Sequence, residues 1–181
     1  MRKLIVIIIG LVACTLHATA DREGIRIDKV EQIKDYTPIV NKILEEHPQG
    51  DICLTFGSGV FPFYPEKARG RYLCVSNNDN GYKRVVFNLT DMQNVVIKGD
   101  STTLLLHGKL TPFLLSCSKQ INISGVDIDY DCPFVFEGKV IANSPEEHSF
   151  TLQVHPDNPY YIKDNRLFFK GYDWESPLGE N

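Results

Sequence analysis

The hydrophobic period of the chain changes once. Ile39, Val40, Ile43 and Leu44 fall at helical spacing, the one-sided stripe of an amphipathic helix. Thr37-Pro38 ahead of them reads as an N-cap followed by proline at the first helical position, and Pro48 and Gly50 end the run. The pattern predicts a helix over 38–47. Beyond it come short apolar or alternating runs between polar turns. Residues 51–56 (DICLTF), 84–89 (RVVFNL), 94–99 (NVVIKG), 102–108 (TTLLLHG), 113–117 (FLLSC), 121–130 (INISGVDIDY), 133–142 (PFVFEGKVIA) and 149–155 (SFTLQVH) each read as strands. No second helix separates them, so the expected class is all-β after one helix.

A repeat refines that expectation. FNLTDMQNVVIKG ends at Gly99 and FLLSCSKQINISG ends at Gly125, an offset of 26 residues. At this offset Phe87 aligns with Phe113, Leu89 with Leu115, Thr90 with Ser116, Val95 with Ile121 and Ile97 with Ile123. Such a period suits a solenoid whose coils stack their apolar residues on one another. Beyond the polar turn SNNDNG (76–81), no Asn-Gly or Asp-Gly lies between adjacent strands, which argues against a sandwich. The expected architecture is a parallel β-helix, with the helix capping its first coil. The last stretch, RLFFKGYDWESPLGEN (166–181), offers no second cap, so the solenoid reads as incomplete at its C-terminal end.

The first twenty residues stand apart. Arg2 and Lys3, the apolar run 4–13 and the small residues Ala18 and Ala20 describe a secretory signal peptide. The run is too short to span a bilayer. A second processing route competes, because LVAC (11–14) resembles a lipoprotein box that would leave a lipidated Cys14 as an anchor. Either route exports the protein. The expected division is a signal peptide over 1–20, an N-terminal segment with the capping helix over 21–50, and β-helix coils over 51–181.

Composition narrows the function classes. The chain has 181 residues, 43% of them hydrophobic, and a net charge of -4. No basic stripe points to nucleic acid as a partner. Cys53, Cys74, Cys117 and Cys132 lack C-x-x-C spacing, and free thiols are favoured over a disulfide framework. No phosphate loop, nucleophile elbow or metal-ligand pattern is present, and no cofactor is expected.

The candidate chemistry is polar and scattered. Asp127, Asp129 and Asp131 alternate with Val126, Ile128 and Tyr130. Alternate strand residues share a face. That face reads as a carboxylate site, a sugar-hydroxyl or calcium site, or the wet side of a coil, and the last reading leads. His107 follows three leucines and precedes Gly108; it is either a ligand or proton carrier or a satisfied turn residue. Asn77, Asn78 and Asp79 lie in SNNDNG (76–81), a polar turn that can also grip sugar hydroxyls. Tyr160, Tyr161, Tyr172 and Trp174 are candidate stacking rings.

Three stretches carry a resemblance: VSNNDNGYKRVVF (75–87), residues 102–140 around LLLHG and DIDYD, and 166–181. Together they resemble the N-terminal part of bacterial α-1,3-galactosidases, glycoside hydrolase family 110. The resemblance covers about residues 25–181 and implies a right-handed parallel β-helix. It implies hydrolysis of terminal α-linked galactose with inversion, on a glycan ending in that sugar. It also implies a periplasmic or outer-membrane-associated protein of a Gram-negative bacterium. The chain departs from the family pattern at Lys109-Leu110, where the resemblance leads one to expect arginine and methionine. Family enzymes are several times longer, and their catalytic carboxylates are expected beyond residue 181, so no catalytic residue is assigned. Two alternatives follow: a non-catalytic carbohydrate-binding β-helix, and a truncated inactive gene product. A polysaccharide lyase ranks lower, because the sequence shows no basic cluster suited to uronates.

Overall fold

Strand pairing follows the apolar positions. The computed structural model describes residues 22–74, 80–156 and 158–177. It begins with β1 (Glu23–Ile27), helix α1 (Thr37–Glu46), β2 (Gly50–Phe56) and β3 (Gly59–Phe63). A short 3-10 turn (Pro65–Lys67), β4 (Arg69–Leu73), β5 (Gly81–Thr90) and β6 (Gln93–Leu106) follow. Then come β7 (Leu110–Ser116), β8 (Lys119–Tyr130), β9 (Gly138–Ser144) and β10 (Ser149–Val154). The described part closes with β11 (Tyr160–Lys163), β12 (Arg166–Gly171) and β13 (Trp174–Pro177).

Four sheets result. In the largest, β1, β2, β6, β3 and β8 run parallel, with β6 central to the rest. The second joins β4, β5 and β7. The third is the β9–β10 hairpin and the fourth the antiparallel set β11–β12–β13.

The 26-residue repeat is real as strand register. Phe87 lies opposite Phe113, Leu89 opposite Leu115, Val95 opposite Ile121 and Ile97 opposite Ile123. The two repeat glycines also face each other: a Cβ on Gly125 would sit 2.2 Å from the Gly99 carbonyl oxygen, and Gly125 holds φ +66°. Then the register between β6 and β8 slips. Lys98 is opposite Ser124, but Thr102 is opposite Val126. Gly99, Asp100 and Ser101 thus span what Gly125 spans alone. Ser101 takes φ +53°, and the buried Thr102 hydroxyl fastens the excursion by donating to the Gly57 carbonyl at 2.8 Å.

The parallel β-helix expected from the sequence is overturned. Among the described residues the four sheets are separate, none is closed, and none continues as a solenoid. Among the described residues from Gly138 onward every pairing is antiparallel. The reason is turn chemistry. Asp164 and Asn165 both take positive φ (50° and 64°) between the register partners Lys163 and Arg166. That is the two-residue turn whose twist suits a hairpin, made without the glycine that usually signals it.

Helix α1 starts at Thr37, one residue before the expected span, and Thr37 is not its cap. Tyr36 holds the N-cap position. The Thr37 hydroxyl instead binds the Tyr64 backbone, donating to its carbonyl (3.2 Å) and accepting its N–H (3.1 Å). The helix buries Val40, Ile43 and Leu44 against a core of Phe56, Phe61, Phe63 and Phe87. None of the described helices is long and apolar enough to cross a membrane.

Candidate functional site

Three parallel strands end at one edge, and their ends build the site. Phe63, Leu106 and Tyr130 are register partners across β3, β6 and β8. The ladder runs one residue further: His107 N–H donates to the Phe63 carbonyl (3.0 Å) and Asp131 N–H to the Leu106 carbonyl (3.1 Å). Tyr64, His107 and Asp131 therefore stand side by side. The register slip in β6 decides this set. Without it, the 26-residue offset would place Pro133 next to His107.

His107 is held from both sides. Its Nδ1 lies 2.8 Å from Asp131 Oδ2, with side-chain exposures of 15% and 23%. An ionised carboxylate only accepts hydrogen bonds, so Nδ1 carries the proton. That leaves Nε2 as the ring atom available to a ligand. The Tyr64 ring stacks on the imidazole at 4.0 Å and 4°, and Thr37 fixes the Tyr64 backbone.

The turn between β12 and β13 closes the cluster. Tyr172 meets Tyr64 edge-on at 5.3 Å and His107 at 5.9 Å. Its hydroxyl donates to Glu66 Oε1 at 2.6 Å. The bond stabilises carboxylate and phenol as they stand. It holds the Glu66 carboxyl below its usual value, with Arg84 and His107 adding to the effect. It raises the Tyr172 phenol to about 12. Gly108 makes room for this turn. It holds φ +67°, and a Cβ there would sit 2.7 Å from the Tyr172 carbonyl oxygen.

Beside the cluster lies a groove of about 780 Å³, lined among others by Tyr82, Lys83, Arg84, Lys109, Phe134 and Asp173. Arg84 is anchored by donating Nη1–H to the Pro65 carbonyl at 2.9 Å. A second groove of about 800 Å³ lies on the other side of the 133–135 segment, where Pro133 and Val135 contribute rather than Phe134. It shares no residue with the His107 cluster or its groove.

The structure separates the three aspartates. Val126, Ile128 and Tyr130 stand opposite Thr102, Leu104 and Leu106, all three buried, while Asp127 and Asp129 stand opposite Thr103 and Leu105. Both aspartates are exposed; Asp129 accepts the Tyr130 N–H at 2.8 Å. Asp131, past the strand end, alone joins His107. Among the described residues, no three His, Cys, Asp or Glu side chains converge to hold a metal ion. Asn77, Asn78, Asp79 and Cys14 lie outside the described residues. Of the candidate rings, Tyr172 joins the site. Tyr161 stacks on Phe168 and donates to Glu175, Tyr160 is exposed, and Trp174 packs on Phe134 and Phe136. Cys53, Cys74, Cys117 and Cys132 are free thiols. Sequence reasoning missed Tyr64, Glu66 and Arg84. Tyr64 carried one usable signal, as the residue after a strand that ends beside His107.

Comparison with known proteins places these features. Residues 136–181 match the family described as GLAA-B beta-barrel domain I, a second finding against a β-helix in this part of the chain. The chain is 31% identical over 150 residues to alpha-1,3-galactosidase A of Shewanella woodyi, covering 81% of this chain and 24% of that protein. It is 33% identical over 135 residues to alpha-1,3-galactosidase B of Akkermansia muciniphila (72% and 16%). It is 28% identical over 173 residues to alpha-1,3-galactosidase B of Parabacteroides distasonis (92% and 28%). The chain thus spans about a quarter, or less, of the length of the curated relatives it matches. These likenesses bear out the resemblance read from the sequence.

Proposed function

We propose that this relative of the bacterial alpha-1,3-galactosidases holds a terminal α-linked galactose unit of a glycan at His107, as part of an exported hydrolase that cleaves with inversion. Export follows from residues 1–20, by cleavage after Ala20 or by lipidation of Cys14. The protein then works in the periplasm or at the outer membrane of a Gram-negative cell.

The observation that carries the reading is the convergence of His107, Asp131 and Tyr64 at the ends of three parallel strands. It supplies a fixed imidazole donor or acceptor and an aromatic wall beside an open groove, the few convergent polar groups that a small-ligand site needs. Inversion requires one carboxylic acid with a raised pKa and one carboxylate that activates water. Glu66 is shifted the other way, by Tyr172 and Arg84, which suits an acceptor of sugar hydroxyls and not a proton donor. The share we assign to this chain is binding and positioning. That favours the carbohydrate-binding reading for the chain taken alone.

Calorimetry with α-1,3-galactobiose and its β-linked isomer tests the proposal. The α-linked disaccharide is expected to bind, the β-linked one at least about tenfold more weakly, and His107→Ala to lose the binding. Equal affinity for both isomers, or binding that survives His107→Ala, would overturn it.

A further inference from the structure

We infer that the groove beside His107 takes a glycan bearing an anionic substituent, a sulfate ester or a carboxylate, adjacent to the sugar held by the imidazole. The inference rests on the galactoside reading above and specifies the charge of its ligand.

The chain as a whole is acidic, at -4, yet this groove reverses the sign. Lys83, Arg84 and Lys109 line it against one carboxylate, Asp173. Lys109 is far from Lys83 and Arg84 in sequence but not in the fold. Arg84 and Leu110 are register partners in neighbouring parallel strands, and Lys83 and Lys109 immediately precede them. Like charges on neighbouring strands repel and cost stability. Among the described residues neither lysine makes an ion pair. The other carboxylates of the site are engaged elsewhere, Glu66 by Tyr172 and Asp131 by His107. A bound anion would offset the repulsion that the fold leaves standing.

The third cation is already in position. Arg84 gives one N–H to the Pro65 carbonyl and lies over the Tyr82 ring at 5.9 Å. Its remaining donors are held by that anchor in a fork that matches a planar carboxylate or a sulfate face. Tyr82 and Phe134 are 63% and 44% exposed. They are apolar plates for the CH face of a sugar ring, which a bare inorganic anion would not use. Cations with flanking aromatics therefore point to a charged saccharide.

The test is calorimetry of the full chain at low ionic strength with four probes: neutral α-1,3-galactobiose, its 6-sulfate ester, digalacturonate and inorganic tripolyphosphate. At least one anionic sugar is expected to bind about tenfold or more tighter than the neutral disaccharide. That advantage should collapse as salt approaches about 0.5 M, where screening is nearly complete over the width of a groove. In Lys83→Gln/Lys109→Gln the ratio of anionic to neutral affinity is expected to fall to about one, with the thermal midpoint kept as a check on folding. Equal affinity for neutral and anionic sugars overturns the inference and leaves the galactoside reading standing. So does an advantage that persists in the double variant or in high salt. Tripolyphosphate binding as tightly as the sulfated sugar overturns the saccharide assignment. Failure of every sugar to bind overturns both readings.

Discussion

Two side-chain pairs set how the site responds to pH and to mutation. Glu66 and Tyr172 share one hydrogen bond, and each displaces the other's titration. The Glu66 carboxyl is lowered, so its contribution is present above its unfolded value of about 4.3 and is lost as pH falls through the folded one. The Tyr172 phenol is raised to about 12. Its contribution is full below about 10 and is lost as pH rises towards 12. Tyr172→Phe removes the phenol's dependence and weakens that of Glu66, which Arg84 and His107 still lower. The urea midpoint of the variant is expected to fall slightly below wild type near pH 7, and the gap to narrow as pH falls through the acid range below about 4.3 and as it rises towards 12. The difference is small because both groups meet solvent. Asp131 acts on ligands through His107, as a positioning residue. Asp131→Asn is expected to weaken α-1,3-galactobiose binding about tenfold. It is also expected to abolish the downfield imidazole Nδ1–H resonance in the proton spectrum, a signal that loss of stability alone would not remove while the chain stays folded. Asp131→Glu should restore part of both.

At the scale of the elements, one close approach decides the register of β6 on β8. Gly125 needs positive φ and tolerates no Cβ, since the Gly99 carbonyl occupies that space. Gly125→Ala is expected to cost about 2 kcal/mol or more, read from the shift in urea midpoint, because an αL alanine adds strain to the clash. This pairing was legible before the structure, since the repeat already aligned Gly99 with Gly125 and Phe87 with Phe113. Helix α1 was legible from its stripe, with only its cap misassigned: Thr37 serves Tyr64 instead. What could not be read was the meeting of His107 with Asp131. Both residues stood out singly, but a uniform offset brings His107 to Pro133. Only the excursion at Gly99–Ser101, held by Thr102, shifts the carboxylate into reach. The β11–β12 hairpin was misread for a related reason. Asp164-Asn165 does the work of Asn-Gly through two non-glycine residues at positive φ, and a search for glycine turns passes over it.

For the whole molecule, the large sheet has one side that its own core does not cover. Among the described residues β8 pairs with β6 alone, and Ile123, Ile128 and the neighbouring Leu115 of β7 are exposed. An open parallel edge carrying apolar side chains is a template for association. Ile128→Lys is expected to lower light scattering at high protein concentration and leave the unfolding free energy within about 0.5 kcal/mol of wild type. The same assembly also has an order in time. Tyr64, His107, Asp131 and Tyr172 leave the ribosome in that sequence, and the stacked imidazole can form as soon as β8 is made. Its last wall, the phenol that leans on Glu66, arrives only with the β12–β13 hairpin. A ligand that touches Tyr172 would therefore discriminate between nascent chains by age, engaging those whose synthesis has passed the β12–β13 turn and ignoring those still short of it.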